Sequence, residues 1–123
     1  MVEKRKVKFN DKEYTLKCSI ATAELFERLT GNKFISVLSD VLRLQKEAEE
    51  HADNTELLMA SVLEMQINVS KLAYCMIVEA KKDGDNEGFE MTYDEWLSNI
   101  GSIDQETLKG VLAVAMGLFP RKV

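Results

Sequence analysis

The chain has 123 residues, of which 46% are hydrophobic and 30% are charged, and its formal net charge is −5. This length suits one ordinary domain with a sizeable core, so residues 1–123 are expected to form a single domain. The acidic balance disfavours a primary nucleic-acid binder, and the sequence lacks both an apolar run long enough to span a membrane and the pattern of a signal peptide.

The first 18 residues have the alternating pattern of a β-hairpin. Val7 and Phe9 alternate with lysines, and the alternation resumes after residues 10–13 with Tyr14, Leu16 and Cys18. Period-two patterning on both sides of an Asn-Asp turn is typical of a hairpin. Because an isolated hairpin is only marginally stable in water, its apolar face must pack on the rest of the chain.

Residues 19–123 are predicted to form a bundle of about five helices. The first covers residues 21–31, with Ser19 or Thr22 as its cap and Gly31 as its stop. The second covers residues 34–52 and becomes polar after Leu44. The third, residues 56–81, is apolar around most of its circumference, which predicts a central, largely buried helix.

Two capping boxes are predicted in the last third of the chain. Thr92 and Glu95 have the spacing of a box that opens a short helix ending near Ile100. Ser102 and Gln105 have the same spacing and would open a last helix over residues 103–118, with Pro120 after it. The predicted fold class is therefore mainly α, a small helical bundle with an N-terminal β-hairpin packed on it.

The sequence contains no constellation that predicts catalysis or a bound cofactor. His51, the only histidine, lies in a charged helix end, where a solvated side chain is the simplest interpretation. The acidic loop at residues 83–88 lacks the ligand spacing of a calcium loop. Cys18 and Cys75 are far apart and lie among apolar residues, which predicts buried free thiols. We therefore expect a non-enzymatic protein without metal or cofactor.

The feature that most suggests a function is an apolar surplus near the C-terminus. Residues 111–119 contain no polar side chain, although Leu108, Val111, Leu112, Ala115 and Phe119 would suffice for one core-facing stripe. Either this helix lies between others, or it forms a contact surface for a partner or for self-association. The candidate partner-binding residues are Leu112, Val114, Met116, Leu118 and Phe119.

The segment at residues 24–34, Glu-Leu-Phe-Glu-Arg-Leu-Thr-Gly-Asn-Lys-Phe, resembles a segment of tail assembly chaperones from long-tailed bacteriophages and prophages of Gram-positive bacteria. In that family an aromatic residue, an aliphatic residue and a Thr-Gly turn follow an N-terminal hairpin. The layout of the remaining chain is also similar, with a long apolar helix, an acidic loop, a short helix at residues 93–97 and a final apolar helix.

This resemblance implies an assembly factor that binds the tape measure protein, keeps it soluble and helps recruit tail tube subunits through a longer, frameshifted form. It also implies action in the bacterial host cytoplasm and absence from the mature virion. The alternative is a small non-enzymatic helical domain with a regulatory or DNA-associated role, which would use the basic cluster Lys4, Arg5, Lys6 and Lys8.

Overall fold

The computed structural model describes residues 2–119, which form a two-stranded antiparallel sheet followed by five α-helices. This arrangement confirms the predicted mainly α fold with an N-terminal hairpin. Pro120, predicted to follow the last helix, lies outside the described residues. The elements are β1 (Lys4–Phe9), β2 (Lys12–Lys17), α1 (Ile20–Thr30), α2 (Phe34–Glu50), α3 (Thr55–Lys81), α4 (Tyr93–Asn99) and α5 (Gln105–Met116).

The hairpin turns through only two residues, Asn10 and Asp11, whose φ angles are 51° and 64°. Two consecutive left-handed residues define the turn type that matches the natural twist of paired strands, and asparagine tolerates this conformation well. The turn sets a register in which Val7 lies opposite Tyr14. As a result, the apolar side chains of both strands point to one face, which packs on α3 and α5.

A group of aromatic side chains joins the hairpin to the helices. Trp96 of α4 is fully buried, and its ring centroid lies 5.2 Å from that of Phe9 and 5.5 Å from that of Tyr14, both with edge-to-face geometry. The rings of Tyr74 and Phe89 complete the cluster. The indole N–H donates to the carbonyl oxygen of Ser70 at 2.9 Å, which satisfies the only polar group of the side chain.

The structure confirms one predicted capping box and corrects the other. The Thr92 N–H donates to Glu95 Oε1 at 2.9 Å, and the Glu95 N–H donates to Thr92 Oγ1 at 3.2 Å. The last helix, in contrast, begins at Gln105 and is capped by Asp104, whose Oδ1 accepts from the Thr107 N–H at 2.7 Å. The Ser102 box was therefore wrong, because an equally good cap lies two residues further on.

The third helix is buried along only part of its length. From Val69 onward it lies under the hairpin and the other helices, and most of its side chains are buried. In its first half, Met59 is 64% exposed and Leu63 is 60% exposed. The prediction of burial around most of the helix was therefore wrong for its N-terminal half, where most side chains are exposed or half-buried.

The close approach of α5 to β1 depends on Gly110. A Cβ atom at this position would lie 2.7 Å from Val7 Cγ1, a distance at which one of the two elements must move. Thr107, one turn earlier on α5, donates its hydroxyl hydrogen to the Lys8 carbonyl at 2.8 Å. Together these two contacts fix α5 along the first strand, and α5 carries most of the predicted contact residues.

Replacing Gly110 with alanine is expected to lower the free energy of unfolding by about 1–2 kcal/mol, because overpacking against Val7 outweighs the gain in helix propensity. Urea denaturation measures the change. In the double variant with Val7→Ala, the loss is expected to be smaller than the sum of the single losses. Gly101→Ala is a suitable control, since its nearest new contact would be 3.8 Å away. Additive effects of Val7→Ala and Gly110→Ala would contradict the packing described here.

Candidate functional site: an apolar groove at the open end of the hairpin

A groove of about 1280 Å³ opens where the hairpin ends. Three segments that are distant in sequence form its walls: the residues leading into β1, the start of α1 and the C-terminal end of α5 with the turn after it. The groove is at least as large as the roughly 300–1,000 Å³ typical of small-molecule pockets, so its volume also leaves room for side chains of a polypeptide segment. Its apolar lining includes Val2, Ile20, Val114, Met116, Leu118 and Phe119.

The structure brings four of the five predicted contact residues together in this groove. Val114, Leu118 and Phe119 are half-buried along its wall, and Met116 is 45% exposed. Leu112 lies elsewhere: it is only 6% exposed and packs in the core with Leu108 and Ala115. The helical repeat explains this division, because positions 108, 112 and 115 share the inward face of α5.

Sequence reasoning missed the opposite wall of the groove. Ile20 is the first residue of α1 and is 80% exposed, the largest exposed fraction among the large hydrophobic side chains that are exposed in residues 2–119. Val2, just before β1, is also exposed. Ile20 could have been identified from the pattern, since it falls outside the stripe formed by Phe26 and Thr22, the two buried residues of α1.

Ion pairs tie the basic start of the hairpin to the acidic loop after α3. Lys4 Nζ lies 2.6 Å from Asp85 Oδ2 and 3.2 Å from Asp83 Oδ2, and Lys17 Nζ lies 2.8 Å from the same Asp83 oxygen. The Lys6 ammonium lies 3.8 Å from Glu13. These carboxylates offset part of the positive charge that a nucleic-acid contact would need.

The carboxyl group of Asp83 is expected to titrate below its ordinary pKa of 3.8, because hydrogen bonds from Lys17 and then Lys4 favour its charged form. The pKa of Asp83 is lower in the folded protein than in the unfolded chain. The ion pairs of Asp83 therefore stabilise the fold at pH values above the unfolded-state pKa, and this stabilisation is lost as the pH falls through the folded-state pKa. A carboxyl ¹³C titration measures the midpoint. Lys17→Met should move it upward, whereas an unchanged midpoint would show that this ion pair does not form in solution.

The two thiols behave as apolar core groups. Cys18 and Cys75 are free and buried, as predicted. Burial is the main cause that raises the pKa of each thiol to about 12, with a further contribution from Glu79 at Cys18. Neither side chain therefore supplies a thiolate at neutral pH, although Cys18 lies at the edge of the groove.

A buried carboxylate lies beneath the start of α1. Glu79 of α3 is 6% exposed, accepts a hydrogen bond from Ser19 Oγ at 3.4 Å and lies 3.1 Å from Lys82 Nζ. These partners give Glu79 a structural role in joining α1 to α3. No group of three His, Cys, Asp or Glu side chains within residues 2–119 is arranged to hold a metal ion.

The sequence matches no protein-family model, and comparison with curated proteins and with solved structures gives no match. In the part of the chain that the structure describes, no helix combines the length and apolar character needed to cross a bilayer. The groove brings apolar side chains from three separate segments together at the surface, and the functional assignment below is based on it.

Proposed function

We propose that this protein is a tail assembly chaperone of a long-tailed bacteriophage or prophage, which binds the tape measure protein and keeps it soluble. The resemblance at residues 24–34 suggests the family. The observation that carries the proposal is the apolar groove, in which Val114, Met116, Leu118 and Phe119 face Ile20. Such a surface on an acidic protein fits the transient covering of apolar segments of a partner.

The size of the groove is sufficient for useful affinity. Each large apolar side chain of a partner that becomes fully buried contributes about 1.5–3 kcal/mol before the costs of association. Binding of this strength would be reversible, as required of a factor that leaves its partner during assembly.

The remaining parts of the proposal follow from the same family resemblance. The protein would act in the bacterial host cytoplasm, without catalytic activity, and would be absent from the mature virion. A longer form produced by ribosomal frameshifting would recruit the tail tube protein. Self-association of the chain would bring several grooves to one long partner.

The proposal is tested by co-expressing the chain with the tape measure protein of its own genome and measuring co-purification. Met116→Asp and Leu118→Asp place a charge in the groove and are expected to reduce capture at least tenfold. Met59→Asp is the matched control, because Met59 is exposed on α3, outside the groove lining. Leu112→Asp is unsuitable as a probe, since it would place a charge in the core. Equal capture by all four proteins would refute the groove as the binding site.

The DNA-associated alternative rests on the exposed lysines of β1. Lys6 and Lys8 lie on the outer face of the hairpin, opposite the face that carries Val7. This interpretation predicts retardation of DNA at low salt and its loss at higher salt. Because Lys4 is already engaged by Asp83 and Asp85, we rank this function second.

A further inference from the structure

The outer edge of β1 carries backbone groups that face away from the hairpin. Phe9 pairs with Lys12 across the two-residue turn, so residues 9, 7 and 5 exchange hydrogen bonds with β2. Residues 8, 6 and 4 alternate with them, and their N–H and C=O groups therefore point outward. These outward groups form the strand edge that β1 presents to a partner.

Some of the other outward groups of the hairpin have partners, and those directly across the sheet from Lys6 are among them. On β2, the Thr15 N–H donates to Asn86 Oδ1 at 2.7 Å, and Asn86 Nδ2 donates to the Thr15 carbonyl at 2.9 Å. On β1, the Lys8 carbonyl accepts from Thr107 Oγ1 at 2.8 Å. Among residues 2–119, no group bonds to the outward N–H or C=O of Lys6. The middle of β1 is thus an open edge, whereas the corresponding position on β2 is closed.

This open edge lies beside the groove. Lys4 and Arg5 belong both to β1 and to the groove lining, together with Ala113 and Val114 of α5. An extended segment paired with residues 4–6 would therefore direct alternate side chains toward the apolar wall of α5. Its other side chains would lie on the outer face of the sheet, next to Lys6.

The positive charge on the outer face of β1 favours one kind of partner strand over another. A second copy of β1 paired at this edge would bring lysines against lysines, and like charges in directly opposed positions destabilise a sheet. A strand with carboxylates at the outward positions would instead place opposite charge next to Lys6. The complementary segment is therefore one in which acidic residues alternate with apolar ones.

We propose that the edge of β1 at residues 4–6 binds, by β-strand addition, an extended segment of a partner protein in which acidic and apolar residues alternate. The inference rests on the proposed function for the premise that the groove receives a partner. It adds the mode of recognition, which consists of main-chain hydrogen bonds to the Lys6 backbone, apolar side chains in the groove and carboxylates beside the Lys6 ammonium.

Fluorescence anisotropy of labelled seven-residue peptides tests this mode with the full chain. A peptide of alternating glutamate and valine should bind, whereas the lysine–valine peptide and a backbone N-methylated glutamate–valine peptide should bind at least tenfold more weakly. N-methylation removes the donors that strand pairing requires while leaving the side chains in place. Equal binding of the methylated and unmethylated peptides would overturn strand addition.

Two substitutions at Lys6 test the same mode on the protein. Lys6→Glu should lower the affinity for the glutamate–valine peptide at least tenfold and raise the affinity for the lysine–valine peptide. Lys46→Glu, at an exposed position of α2, should change neither affinity. Lys6→Pro removes an N–H that takes no part in the hairpin ladder, so it should abolish peptide binding while the circular dichroism spectrum is retained. Full binding by Lys6→Pro, or the same losses with Lys46→Glu, would contradict the proposal.

The peptide assay and the co-purification assay fail independently. The peptides contain no tape measure sequence. Failure to bind them would therefore refute strand addition without refuting the proposed function. If the chain binds the peptides but does not co-purify with the tape measure protein, that protein is refuted as the partner, whereas the binding mode is supported.

Discussion

Replacing Trp96 with alanine is expected to lower the free energy of unfolding by about 3–5 kcal/mol, the range for removing a large aromatic side chain from a core. The indole ring lies against Phe9 and Tyr14 of the hairpin and donates its N–H to Ser70 of α3. Its loss would separate the sheet from the helices that support it. Urea denaturation followed by circular dichroism measures the effect, since Trp96 is the only tryptophan.

Trp96→Phe separates the contribution of packing from that of the hydrogen bond. The phenyl ring retains much of the aromatic contact and loses the N–H donor, so a smaller loss of about 1–3 kcal/mol is expected. Tyr93→Ala, on the same helix but only half-buried, should cost less than Trp96→Ala. If Trp96→Ala lowered the free energy of unfolding no more than Tyr93→Ala does, the aromatic cluster would not be the junction between the hairpin and the bundle.

Replacing Asn86 with aspartate is expected to destabilise the protein by about 2–4 kcal/mol at neutral pH. The Asn86 amide donates to the carbonyl oxygens of Thr15 and Ile77, at 2.9 and 3.0 Å, and accepts from the Thr15 N–H. A carboxylate of the same shape can keep the accepted bond but repels both carbonyls. The substitution would therefore release the closed edge of β2 from the loop after α3.

The pH dependence of this variant provides a second readout. Repulsion from the two carbonyls raises the pKa of the introduced carboxyl in the folded state, so the penalty grows as the pH rises and shrinks when the group is protonated. Asn32→Asp adds the same charge at an exposed site and should change stability by less than about 0.5 kcal/mol. A pH-independent loss for Asn86→Asp would show that the carbonyls do not face this side chain.

Local sequence signals predicted the elements of this fold well. The Asn10-Asp11 turn, the Gly31 stop with φ of 74° and the Thr92 capping box each determine a boundary through a few adjacent residues. The start of α5 was predicted wrongly because Ser102 and Asp104 are both competent caps, and the tertiary bond from Thr107 to Lys8 favours the later start.

The groove could be predicted only in part, because its walls come from three separate segments. The apolar surplus of residues 111–119 indicated one wall. The helical repeat already grouped Leu112 with the core-facing stripe of Leu108 and Ala115, and the structure places it there rather than in the groove. Ile20 could have been identified from the pattern of α1, but its place opposite the end of α5 depends on how the helices pack. The open edge at Lys6 depends on the hairpin register and on which groups cover the outer edge of β1. Similarly, the exposed first half of α3 follows from the limited extent of the neighbouring elements.

The proposal that the groove shields apolar segments of the tape measure protein is tested most directly by the fraction of that protein that stays soluble when the two are co-expressed. We expect high solubility of the tape measure protein with the natural chain and with Met59→Asp, and aggregation with Leu118→Asp or when the chain is not co-expressed. Full solubility with Leu118→Asp and Met116→Asp, or aggregation in the presence of the natural chain, would contradict it.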